Sequence, residues 1–113
     1  MSITFTPHAG TWTTSIYYPD QAEKGGFYVA RDEQPSVNCH NSGGYLLQLA
    51  LGLEADDCGT IPAEGIQAAL DSFHNRKRLG LDEYDAHYLH NKAEQVEQML
   101  FHCLYHECGL SFG

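Results

Sequence analysis

The pattern of apolar and polar positions changes character part-way along the chain. Across Trp12–Tyr18, Trp12, Thr14, Ile16 and Tyr18 fall on one face and Thr13, Ser15 and Tyr17 on the other. This alternation of β-branched and aromatic residues predicts a strand. Pro19-Asp20 opens a turn, Gly25-Gly26 closes the connection, and Phe27 to Arg31 predicts a second strand. From Asn41 onward the period is helical. Asn41 or Ser42 can cap a helix through Tyr45, Leu46, Leu47, Leu49, Ala50 and Leu51 that ends near Gly52. Pro62 suits the first turn of a second helix, with Glu64 favourable at its positive end. Ile66, Leu70 and Phe73 form its apolar stripe, and Gly80 ends it. Asp82 caps the third and longest helix, Gly109 terminates it, and Leu89, Ala93, Val96, Leu100 and Cys103 make a four-three seam. The expected fold is α+β, an N-terminal β-hairpin packed on a bundle of three helices. It forms one domain over residues 1–113, with a hairpin region at 1–37 and a three-helix region at 41–109.

Composition narrows the class. With 113 residues and 42% apolar content the chain suits one globular domain. It has no apolar run near the ~20 residues of a transmembrane helix, and Met1–Thr6 carries neither the basic region nor the apolar core of a secretory signal. Fifteen acids against six bases give a net charge of −9, which argues against direct binding to nucleic acid or to an anionic membrane. The acids gather in two sets, Glu54, Asp56 and Asp57, then Asp82, Glu83 and Asp85. Solubility accounts for such charge, and attraction to a basic partner is the sharper reading. Arg76, Lys77 and Arg78 read as cations complementing the negative end of a helix. Cys39, Cys58, Cys103 and Cys108 are expected as free thiols in a reducing cytosol.

Seven histidines and four cysteines raise the question of zinc. Structural zinc prefers paired ligands such as Cys-x₂-Cys, and none occurs. His87 and His90 could share a helix face, and so could His102 and His106, but the two pairs lie about 22 Å apart along one helix. The best set is Cys39, Cys58, His102, His106 and Cys108. Placed at about 100° per residue, the four helix histidines fall opposite the seam, so they are expected at the surface. Phe101 and Tyr105 share that face, which packs under the hairpin or forms a binding or dimer surface. Cys39 and His40 are neighbours whose side chains diverge in an extended segment, so no nucleophile is assigned, and Cys103 reads as an apolar filler. Ser42-Gly43-Gly44 lacks the Lys-Ser or Lys-Thr of a P-loop and reads as capping. Neither acid set has the alternation of a calcium loop.

Asn38 and Asn41 before a helix, Leu51-Gly52-Leu53, then Gly59 and Ile61 and a long C-terminal helix together resemble a loose group of small proteins encoded by phages and bacterial prophage regions. The resemblance covers the C-terminal two thirds. It implies a protein that acts in the cytoplasm of a bacterial host cell by binding a host protein. The expectation is therefore an acidic interaction protein, not an enzyme, that blocks or modulates a basic host protein. Such a target would be nucleic-acid-binding or part of a defence system, engaged through Glu54, Asp56, Asp57, Asp82, Glu83 and Asp85. A small zinc protein built on the Cys/His set is the alternative.

Overall fold

The computed structural model describes residues 2–8, the backbone of 16–17 and 28–29, and residues 35–113. The fold is α+β. β1 (Ser2–Pro7), β4 (Val37–His40), β5 (Gly59–Ile61) and β6 (Leu110–Phe112) form an antiparallel sheet in the order β4-β1-β6-β5. In β1 the alternation turns Ile3, Phe5 and Pro7 inward, and β4 does the same with Val37 and Cys39. Phe5 stands opposite both Val37 and Phe112, and its ring lies 5.2 Å from that of Phe112. On the outer face Asn38 Nδ2 donates to Ser2 Oγ and Thr4 Oγ1. Thr4 and Gly113 exchange backbone hydrogen bonds of 3.1 and 3.2 Å, which extends the β1–β6 ladder.

The expected hairpin is present as a pairing of β2 (Ile16–Tyr17) with β3 (Tyr28–Val29), a two-stranded sheet of its own. The rest of the strands expected over Trp12–Tyr18 and Phe27–Arg31 lies outside the described residues. The larger sheet is the feature the sequence reading lacks. Its strands come from both ends of the chain and from two short connections, and β5 and β6, with three residues each, are too short to display a period of two.

Three helices pack with this sheet. α1 (Asn41–Ala50) is capped by His40, not by Asn41 or Ser42: His40 is extended, and its Nδ1 accepts from the Gly43 N–H at 3.0 Å. The expected second helix is divided into a 3₁₀ turn (Ala63–Gly65), α2 (Ile66–His74) and a second 3₁₀ turn (Arg76–Leu79), with Gly80 ending it at φ 61°. The basic triplet serves two helix ends at once. Arg78 donates to the carbonyls of Ser72 and Asn75 and, across the junction, to those of Leu49 and Ala50. Arg76 lies over the Phe73 ring at 4.5 Å.

α3 (Glu83–His106) starts as expected, with Asp82 Oδ1 accepting from the Asp85 N–H at 2.8 Å. Its end differs. Glu107 takes the left-handed position at φ 52°, and Gly109 serves another purpose: a Cβ there would lie 2.2 Å from the Ile61 carbonyl oxygen. Gly109 thus lets the chain leaving α3 pass close to β5.

The seam residues Leu89, Ala93, Val96, Leu100 and Cys103 are all buried, beside Phe5, Leu47, Ile66, Phe73, Met99 and Leu110. Each such aliphatic or aromatic side chain contributes about 1.5–3 kcal/mol. On the opposite face His102 departs from the surface position expected of it, whereas burial of Phe101 is one of the two outcomes expected there. Phe101 and His102 are buried at 1% and 0% exposure, whereas Tyr105 and His106 stay exposed. α3 packs against α1, α2, β1, β3 and β4, and elements on more than one side enclose it. Among the described residues no helix is long and apolar enough to cross a membrane.

Candidate partner-binding groove

α1 and the first turns of α3 enclose a groove of about 320 Å³. Tyr45, Leu46 and Leu49 line it from α1, and Tyr84, Asp85 and Tyr88 from α3. Both triplets follow the i, i+1, i+4 spacing that puts side chains on one helix face. His40, Ser42 and Gly43 form the floor. Gly43 lets the Tyr88 ring approach α1 closely, since a Cβ there would lie 2.3 Å from its hydroxyl and displace it. The Tyr88 ring lies 5.0 Å from that of His40. Burial first, then the neighbouring Cys39 thiol, pushes ionisation of the Tyr88 phenol well above its usual range, so the phenol stays neutral. Leu49 at 43% and Tyr84 at 75% exposure are large apolar side chains left outside the core, and both open onto this groove.

Both acidic sets reach the groove. Gln48, fully buried in α1, donates from its amide to the Asp56 carbonyl at 2.9 Å and accepts from the Asp56 N–H at 2.8 Å. This pair fixes the loop that carries Glu54, Asp56 and Asp57. The Tyr45 hydroxyl donates to Asp57, which joins that loop to the groove wall and raises the ionisation range of the phenol. On the other side Asp85 is part of the lining, and Asp82 and Glu83 bound a shallow depression with Tyr84 and His87. Glu54, Asp56, Asp57, Asp82 and Glu83 are exposed and Asp85 is half-buried. Asp82 also spends one carboxylate oxygen on the α3 cap. Among the described residues Arg76 and Arg78 lie at the end of α2, and Lys92 donates to the Asn38 carbonyl at 2.9 Å.

The structure does not gather the cysteine and histidine set. Cys39 is buried in β4, Cys58 is exposed before β5, His102 is in the core, and Cys108 is half-buried after α3. His102 and His106 do approach, with ring centroids 4.6 Å apart. Among the described residues no group of three or more His, Cys, Asp or Glu could hold a metal ion. Cys39 and His40 point apart as strand neighbours do, and His40 Nδ1 is occupied by the α1 cap. His87 and His90 are exposed, as their position opposite the seam implies, but His102 is not.

Tyr45, Leu46, Leu49, Tyr84 and Tyr88 line the groove and Gln48 braces the loop beside it, and the sequence reading gave none of them a binding role. Tyr84 and Tyr88 had a visible signal, two aromatics four apart at the start of a helix and outside its apolar seam. Gln48 had none, because a buried amide and an exposed one look alike in sequence. Compared with models of protein families, with curated proteins and with solved structures, the chain matches none.

Proposed function

We propose that this chain is an acidic interaction protein that binds and blocks or modulates a basic host protein through the face formed by α1 and the start of α3. One observation carries the reading: Asp85 lines a tyrosine-rich groove and Asp57 accepts from Tyr45 of the opposite wall, while Arg76, Arg78 and Lys92 are committed to backbone carbonyls. Interface cores are enriched in aromatics, and rim charges steer and orient the encounter. A partner that ordinarily grips nucleic acid presents a complementary basic surface, so a nucleic-acid-binding or defence protein is the target class. The resemblance to phage-encoded proteins accords with the same class, and with action in a bacterial cytoplasm as part of the proposal.

Capture from lysate of the native host tests the proposal. The wild-type chain should retain a basic partner that about 0.5 M salt releases, since screening shortens to a few ångströms there. A variant carrying Asp56→Asn, Asp57→Asn, Glu83→Gln and Asp85→Asn should retain far less. Equal retention by that variant would overturn acidic docking.

A further inference from the structure

Resting on the reading of this face as a docking surface, we infer that the groove between α1 and α3 receives an arginine side chain of the partner. Its walls offer the rings of Tyr45, Tyr84 and Tyr88, and the half-buried Asp85 carboxylate stands among them. Among the described residues no lysine or arginine lines it. The imidazole in the lining, His40, is engaged in the α1 cap, its Nδ1 accepting from the Gly43 N–H.

The chemistry selects among occupants. An aliphatic side chain would cover Asp85 without giving the carboxylate a partner, which is unfavourable. An anion would meet Asp85 on one wall and Asp57 beside the other. A lysine ammonium is compact and strongly hydrated, and loses water to enter an aromatic slot. A guanidinium is flat and weakly hydrated, stacks on tyrosine faces, and donates in a fork to a carboxylate. Residues of the first turns of α1 and α3 line the groove, and each helix start carries about half a positive charge. At α3 that contribution is met by three formal negative charges, Asp82, Glu83 and Asp85.

Titration of the full chain with three eight-residue peptides, all arginine, all lysine or all citrulline, tests the inference by backbone amide NMR at low salt. The arginine peptide should shift Gly43, Tyr84, Asp85 and Tyr88 and bind about tenfold more tightly than the lysine peptide. The citrulline peptide, of similar shape but uncharged, should not bind. Tyr84→Ala and Asp85→Asn, both at the rim and outside the core, should each weaken the arginine peptide about tenfold. Asp56→Asn removes a charge outside the groove and should weaken it only about twofold. Equal affinity for lysine or citrulline would overturn the choice of arginine. Arginine binding that Tyr84→Ala and Asp85→Asn weaken no more than Asp56→Asn does would remove the slot and leave the acidic surface standing. No binding of either cationic peptide would overturn both.

Discussion

The two ends of α3 obey the same helical period and have opposite fates. From Val96 to Cys103 the helix buries Val96, Glu97, Met99, Leu100, Phe101, His102 and Cys103, on every side of its circumference. From Glu83 to His90 it buries Leu89 alone. Polar groups at the closed end are used internally: His74 Nε2–H donates to the buried Glu97 carboxylate at 3.0 Å. At the open end Tyr84 and Asp85 face a groove that none of the described residues fills. Periodicity tells which side chains share a face. How many faces become core depends on how many elements close around the helix.

The contrast breaks most directly at Phe101 and Tyr105, one turn apart on α3. Phe101→Ala should lower unfolding free energy by about 3–5 kcal/mol, as deletions of buried aromatics do. Tyr105→Ala, at a site 59% exposed, should stay within about 0.5 kcal/mol. Denaturant titration of both variants decides it, and similar losses would mean that the closed end is not closed. Gly109→Ala comes next. The obstructing atom is the Ile61 carbonyl oxygen, which belongs to the β5–β6 ladder and cannot swing aside as a flexible side chain would. A loss of about 1–3 kcal/mol is expected, read in the same titration.

The closed end should also declare itself at alkaline pH. Burial, followed by the neighbouring Cys108, pushes the Cys103 thiol far above its ordinary value of 9.0. The folded protein then keeps a proton that the unfolded chain releases. Stability from this group is complete below about pH 9 and falls by up to about 1.4 kcal/mol per pH unit above it. Cys103→Ala should flatten that slope, whatever its effect on stability at neutral pH. Thiol labelling of the folded protein supplies an independent check, with exposed Cys58 reacting first and Cys103 protected until unfolding.

What could be read from sequence divides along the same line. The three helices, the seam and the Asp82 cap were legible because each is a local pattern. The four-stranded sheet was only half legible: Ile3 and Phe5 alternate with Thr4 and Thr6, but nothing local says that β1 will pair with both Val37–His40 and Leu110–Phe112. His102 was misplaced because helical angle puts it opposite the seam, and angle does not record a second layer of packing. The acidic residues were legible as sets. Their relation to the groove was not, since it depends on Gln48 holding the Asp56 loop and on Tyr45 reaching Asp57.

The smallest stability effect sharpens the comparison most. Tyr84 is 75% exposed, so Tyr84→Ala should leave unfolding free energy within about 0.5 kcal/mol of wild type. If this tyrosine stands outside the core because a partner uses it, removing it should weaken partner retention while the folded state is unchanged. If Tyr84→Ala instead destabilised the fold by 2 kcal/mol or so, on the scale of a buried side chain, the open end of α3 would be another piece of core. A variant that folds as wild type and has lost its partner would give the exposed aromatic ring a purpose that packing does not.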